Sequence, residues 1–417
     1  MIFWIKIWNS ARLFLNFLKT KRLDLMRSRL GVIFLTVLID LIGFGIVIPL
    51  LPFYALNFGA KSYQIGLLVS SFSFMQFIFN PIWGRISDRI GRRPVILISV
   101  FGSFVSYLIF ALADSLWVLF LSRMLAGFMG ANIATAQAYI ADITPPEERA
   151  KGMGIVGAGF GIGFVVGPLI GGILSKFGYN FPIFFASGLS LLNFFLALKF
   201  LPEPHSRKFE SRGLSYSQGI SGLFQNKVLI FLYFTFFVIT FGISINYVVF
   251  PLFTKDVFNF DASHNGLLFG YVGIIGVMTQ GYLVGKFTKR FSEERVLIAG
   301  TFLMCFGLFG MIFSVHFFQF LTFTTFFTFG SGITTPTVLS LISRQAKSEN
   351  QGVTLGLGQS LSSLARVFGP STGGFLYGNF GQRSPFVLGV LVMAVSFLFA
   401  IGIYNGEKSK SELGVKC

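Results

Sequence analysis

Charge is the first thing this chain lacks. Only 12% of its 417 residues are Asp, Glu, Lys or Arg, about half the roughly 25% of an ordinary soluble domain. A surface so poor in charge cannot be kept in water, which excludes a cytosolic enzyme and a disordered scaffold. Cysteine is nearly absent as well: Cys305 lies inside an apolar run and Cys417 is the last residue. That leaves no disulfide framework, zinc spacing or CxxC pair. Three histidines, His205, His264 and His316, are scattered through polar stretches and suggest no metal site. The chain also has no GxxxxGK[ST] or HExxH motif, so an ATP-driven pump is not indicated, and no cofactor is called for.

What is abundant is apolar. Hydrophobic residues make up 53% of the chain, with 56 phenylalanines and 48 glycines. The apolar runs last about 20 residues, the length of a membrane-spanning helix, whereas a transmembrane barrel alternates over ~10-residue segments. A formal charge of +17 is of the kind that binds nucleic acid, but its placement argues otherwise. Of 33 basic residues, 27 fall in one alternating set of segments between the apolar runs. Only Lys61, Lys176, Lys255 and Arg383 fall in the opposite set, and Arg123 and Arg366 lie within runs. By the positive-inside rule both termini are cytoplasmic, and twelve spans cross a cell (inner or plasma) membrane, with lipid rather than nucleic acid around them.

The expected organisation is an all-α membrane protein of twelve helices in two six-helix repeats. It comprises a basic extension (1–29), a first bundle (30–201), a cytoplasmic linker (202–227), a second bundle (228–404) and a tail (405–417). Residues 1–29 interleave seven basic residues with Trp4, Trp8, Phe14 and Phe17. They read either as an amphipathic helix on the inner leaflet or as a dispensable extension before a start at Met26. The repeat is visible directly. Gly167-Pro168 with Gly171-Gly172 in the fifth span recurs as Gly369-Pro370 with Gly373-Gly374 in the eleventh, and Gly84-Arg-Ile-Ser-Asp-Arg recurs as Gly285-Lys-Phe-Thr-Lys-Arg. Duplicated halves in one orientation, rocking about a midplane site, are the architecture of a secondary transporter.

Asp40 is the one acidic residue well inside a span. Placing a charged carboxylate there costs ~2.5–3.5 kcal/mol on insertion scales, so it is expected to face a cavity. A carboxyl that is costly to ionise suits a proton carrier; the alternative is a structural hydrogen bond between helices. Arg123, in a fourth span placed at 116–140, shares a face with Gly127, Gly130, Ala134 and Gln137. It would either line a polar cavity and pair with Asp40, tuning its proton exchange, or clamp two helices. Gln359 and Arg366 share a face of the eleventh span. Asn132, Asn246 and Gln280 are further polar candidates, each as readily a packing hydrogen bond as a substrate contact.

The fifth span holds glycine at 152, 154, 157, 159, 161, 163, 167, 171 and 172, with Pro168 among them. Gly152 to Gly157 satisfies GxGxxG, but no strand or βαβ unit surrounds it, so it does not read as a dinucleotide site. Gly163, Gly167 and Gly171 form a stripe for close helix contact, and Pro168 can bend the helix where neighbours re-satisfy its backbone.

The loop Gly84-Arg-Ile-Ser-Asp88-Arg89-Ile-Gly91-Arg92-Arg93-Pro94 resembles the signature between the second and third helices of the major facilitator superfamily. Arg123–Gly127 is similar to its fourth-helix motif, and Gly157–Gly172 to the fifth-helix motif of its antiporters. The Asp40…Pro49…Pro52 helix and Ala138–Arg149 resemble the drug/proton antiporter branch that includes the tetracycline exporters. This resemblance implies a cytoplasmic gate of Gly84, Asp88, Arg89, Gly91, Arg92, Arg93, Asp142 and Arg149. There the loop aspartate would meet the start of the eleventh helix, and a loop arginine the aspartate ending the fourth. It also implies antiporter-type packing by Gly157, Gly163, Gly167, Pro168, Gly171 and Gly172, and a monomer.

Two departures stand out. The spans placed at 266–287 and 296–315 carry neither the eighth-helix histidine nor the ninth-helix acid of tetracycline exporters, and the second-half loop carries Lys289 and Glu293-Glu294 where an aspartate and arginines would repeat. The combined reading is a proton-coupled exporter of a small apolar or drug-like compound, with Asp40 and Arg123 in proton coupling and Asn132, Gln137, Asn246, Gln359 and Arg366 in the cavity. The alternatives are a proton-coupled importer or facilitator of a metabolite such as a sugar, and a transporter-shaped receptor without flux. No cluster of catalytic groups suggests an enzyme.

Overall fold

The computed structural model describes residues 29–130, 132–144, 149–204, 227–345 and 351–412. Among these every regular element is helical. The first half contributes α1 (Arg29–Asn57), α2 (Ser62–Ile90), α3 (Arg92–Ala111), α4 (Leu116–Met129), α5 (Asn132–Ile143), α6 (Arg149–Leu174) and α7 (Asn180–Phe200). The second contributes α8 (Lys227–Phe258), α9 (Ala262–Met278), α10 (Val284–Arg290), α11 (Glu293–Ile312), α12 (Phe317–Arg344), α13 (Gln351–Phe380) and α14 (Ser384–Glu412). A single π turn, Thr279–Leu283, joins α9 to α10. Ten helical stretches are long and apolar enough to cross a membrane. The consecutive α4 and α5, and the 30-residue α13, occupy the places of the fourth and eleventh spans.

The fourth span is not the continuous helix its hydropathy suggests. It breaks at Gly130, which ends α4 with φ −72° and ψ 29°. A break at membrane depth must satisfy the carbonyls it frees, and three side chains from neighbouring helices do so. Trp83 Nε1 donates to the Phe128 carbonyl at 2.7 Å, Gln76 Nε2 donates to that of Gly130 at 3.3 Å, and the Ser99 hydroxyl donates to that of Met129.

Close packing depends on missing side chains at a few places. Along α6, Gly163, Gly167 and Gly171 lie against Leu41, Gly45 and Ile46 of α1; a Cβ on Gly167 would stand 2.7 Å from the Gly45 Cα. The expected stripe is therefore the α1–α6 seam.

The two halves touch along two further seams. At the first, Gly66 of α2 lies against the Pro370 carbonyl of α13, and Ser371 Oγ donates to Ser70 Oγ at 2.7 Å. At the second, Gly172 of α6 meets Gly266 of α9, followed by Leu169 on Gly270, Phe164 on Gly273 and Val277 over Gly161. One turn beyond Gly161, a Cβ on Gly157 would meet nothing within 4 Å. On α9 the π turn begins two residues after Val277. Both seams thus lie toward the side of Lys61, Lys176 and Lys255, and the second ends before the arginine-rich side is reached.

Candidate functional site

Asp40 and its neighbours form a column through the first half. Ser103 Oγ on α3 donates to Asp40 Oδ1 at 3.1 Å. Tyr107 follows one turn along α3, its ring lying over the bare Cα of Gly43, where a Cβ would sit 3.1 Å from Tyr107 Cε2. Tyr107 is within electrostatic range of both Asp40 and Arg123.

Arg123 itself is 2% exposed. Among the described residues no ion pair joins it to Asp40, and three rings surround its guanidinium. Its guanidinium carbon lies 5.8 Å from the Phe72 centroid, 5.9 Å from Tyr107 and 5.2 Å from Phe110. Its Nε and Nη2 find no hydrogen-bond partner. A direct Arg123–Asp40 ion pair is thus absent among the described contacts, and Tyr107 is the residue within electrostatic range of both. Ring contacts of this kind contribute up to ~2 kcal/mol each when desolvated, which offsets part of the cost of burying the cation.

The aromatic cage continues as a chain of rings. Phe72 meets Phe44 at 5.3 Å, Phe44 meets Phe164 at 6.0 Å, and Phe164 meets Phe160 at 6.3 Å. The chain links α2, α1 and α6, and Phe164 also sits on the seam with α9. Composition alone could not pick these four out of 56 phenylalanines.

In the second half, Arg366 is half-buried in α13 and donates to the hydroxyls of Ser362 at 3.0 Å and Ser363 at 3.2 Å. Tyr247 of α8 lies within electrostatic range. Asn246 is buried and donates to the Gly242 carbonyl of its own helix at 2.9 Å, leaving Oδ1 without a partner. Gln137, Gln280 and Gln359 are exposed. The side chains of Asn132 and Arg149 lie outside the described residues.

At the arginine-rich side, Arg92 is the centre of a clamp. Its Nε donates to Asp142 at 2.9 Å, and its Nη1 lies 2.6 Å from both Asp88 and the Ser87 hydroxyl. This joins the ends of the second, third and fourth spans. Asp88 turns to Arg92, while the side chains at the start of α13 lie outside the described residues. Arg85 and Arg89 are exposed, and Gly84 faces open space.

Glu203, which no motif pointed to, completes the arrangement. Its two carboxylate oxygens accept from the backbone N–H groups of Arg92 at 2.7 Å and Arg93 at 3.0 Å, capping α3 where the helix dipole favours an anion. Arg93 returns the contact by donating to the Leu201 and Leu198 carbonyls, both at 2.7 Å. Gly91 makes this possible with φ +103°, and a Cβ there would lie 2.7 Å from Glu203. The only available signal was a carboxylate straight after the sixth span, beside a bare helix start.

The second half repeats the clamp with its charges exchanged. The offset of 201 between the two loops takes Arg92 to Glu293, and the offset of 202 between the fifth and eleventh spans takes Asp142 to Arg344. Arg344 Nη1 lies 3.2 Å from Glu293 and 3.7 Å from Glu294, and Ser340 donates to Glu293 at 2.7 Å.

The major facilitator superfamily model matches residues 33–370 and again 281–414. The chain belongs to this family. It is 32% identical over 349 residues to the class C tetracycline resistance protein of Escherichia coli, covering 82% of this chain and 88% of that one. It is 30% identical over 378 residues to multidrug resistance protein 1 of Bacillus subtilis (strain 168), covering 89% and 95%. Among solved structures, a bacterial homolog of the human lysosomal transporter Spinster, inward-facing and occupied, superposes with a TM-score of 0.79 at 14% identity. The match covers 90% of this chain and 96% of that one, and shows a shared fold. Membership makes this a multi-pass membrane transporter of small molecules.

Proposed function

We propose that the protein exports a small, largely apolar compound in exchange for protons, with Asp40 as the proton carrier. The observation that carries this reading is the column Asp40–Ser103–Tyr107–Arg123. It sets the one mid-span carboxylate of the chain in a hydrogen-bonded place near Tyr107, whose ring lies against the buried Arg123. The ring chain from Phe72 to Phe160 supplies an apolar wall beside it. Relatives named for tetracycline and multidrug resistance support the export direction.

With the arginine-rich side in the cytoplasm, the two seams close the outer side and leave the inner side free to admit substrate. The halves 30–201 and 228–404 would rock about these seams, and the two ionic clamps would keep each half rigid as it moves. Each proton returning down a ~100 mV potential contributes ~2.3 kcal/mol to the cycle.

Everted membrane vesicles with an acidic interior, holding wild-type or Asp40→Asn protein, test this with a panel of dyes, antibiotics and metabolites. Collapse of the gradient by some compound with wild type alone is the expected result. Equal counterflow of a labelled solute in both proteins, with no compound-driven proton movement, would overturn it.

A further inference from the structure

Arg366 is a mid-helix cation with no carboxylate within 4 Å among the described residues. It lies 15 residues into α13, ~22 Å along the helix at 1.5 Å per residue. Gln359, Arg366 and Pro370, at spacings of seven and four, share one face of that helix. Pro370 packs against Gly66 of the first half, so this face is turned toward the opposite bundle. Arg366 sits one turn nearer the arginine-rich side than that contact. Its guanidinium has five donors in a planar fork, and the described side chains it bonds are two hydroxyls on its own helix.

The described acids of the second half are engaged elsewhere, at helix ends. Asp256 accepts from the Tyr377 hydroxyl at 2.7 Å, Asp261 holds His264 at 2.7 Å, and Glu293 and Glu294 hold Arg344. In the first half, Arg123 is likewise buried without a carboxylate within 4 Å among the described residues, leaving Asp40 as the single mid-span anion against two guanidiniums. The interior is therefore electropositive, and buried charge of one sign calls for a counter-ion. In the first half the repeat offset of 202 leads from Arg366 to Phe164, in the middle of the ring chain. One wall thus offers a fork for a planar oxyanion, and the other offers aromatic faces.

We infer that the compounds this transporter carries are amphipathic aromatic anions, whose carboxylate pairs with Arg366 while the ring system lies against Phe44 and Phe164. This rests on the exporter reading for the location of the substrate, but its test does not require proton coupling.

The probes are 2-naphthoate, 2-naphthamide and 2-naphthylmethylammonium, which share one ring system and differ in charge. Their binding to purified full-length protein in detergent is measured by titration calorimetry at neutral pH with no gradient. Wild type is expected to bind the naphthoate at least tenfold more tightly than the amide, and the ammonium least. Arg366→Gln should bring the naphthoate down to the level of the amide, and Arg366→Lys should restore part of the difference. Equal affinity for naphthoate and amide, preference for the ammonium, or binding of none of the three by wild type would overturn the inference, whether or not the variants fold. Anion preference without proton movement in the vesicle assay would refute proton exchange and leave the substrate class standing; proton movement driven by amines alone would do the reverse.

Discussion

Gly266 on the outer seam offers the sharpest test of how the halves move. A Cβ there would lie 2.5 Å from both the Gly172 Cα and the Pro168 carbonyl oxygen. Real Cβ contacts do not come so near, and both neighbours are backbone atoms that cannot rotate aside. Gly266→Ala must therefore part α6 from α9 by nearly an ångström. Overpacking of this kind costs ~1–3 kcal/mol. The cost falls on the state in which this seam is shut and is relieved in any state where it opens, so it acts as a differential free energy between conformations. At ~1.4 kcal/mol per tenfold, it moves the equilibrium roughly 5–150-fold toward opening on the side of Lys176 and Lys255. Spin labels at Lys176→Cys and Asn259→Cys, with Cys305 and Cys417 replaced, would report the distance across the seam. Gly188→Ala is the control, because a Cβ at that glycine meets nothing within 4 Å. The expected result is a longer distance population in Gly266→Ala and no change in Gly188→Ala. An unchanged distribution in a folded Gly266→Ala protein would refute the claim that this seam sets the closed state.

Two further outcomes follow from the ionic clamps. Glu203→Gln should weaken the cap on α3 by ~0.5–2 kcal/mol, read as a lower melting temperature of the purified protein, and Gly91→Ala should cost more, because it adds a Cβ at φ +103°. Arg344→Glu sets like charges against Glu293 and Glu294 and should slow transport, with Glu293→Arg in the same chain recovering part of the rate. The recovered amount should be small, since partly exposed pairs are worth ~0.2–1 kcal/mol.

The sequence made the helices legible because the bilayer imposes a length that hydropathy can read. The run between Lys61 and the Gly84–Pro94 loop, for instance, is the single helix Ser62–Ile90. The small-residue stripe of the fifth span was equally readable, since a spacing of four has only one helical meaning. What escaped was whatever depends on a partner elsewhere in the chain. The break at Gly130 is stable because Trp83, Gln76 and Ser99 reach it, and those residues lie 31 to 54 positions away. Glu203 caps a helix that begins 111 residues earlier. Arg123 and Asp40 were legible as midspan charges, but not Tyr107, which interacts with both and packs where Gly43 leaves room.

The exchanged polarity of the two clamps bears on how a duplicated chain assembles. Membrane helices enter the bilayer one after another, and two repeated halves offer each helix two similar partners. The third span begins with a cation at Arg92 and its proper partner ends in the anion Asp142; the ninth begins with Glu293-Glu294 and its partner ends in the cation Arg344. A third helix docked against the tenth would oppose Arg92 with Arg344, and a ninth docked against the fourth would oppose two glutamates with Asp142. The reversal thus acts as a lock and key for self and non-self within a single polypeptide, making each mistaken cross-half pairing repulsive while each correct one attracts.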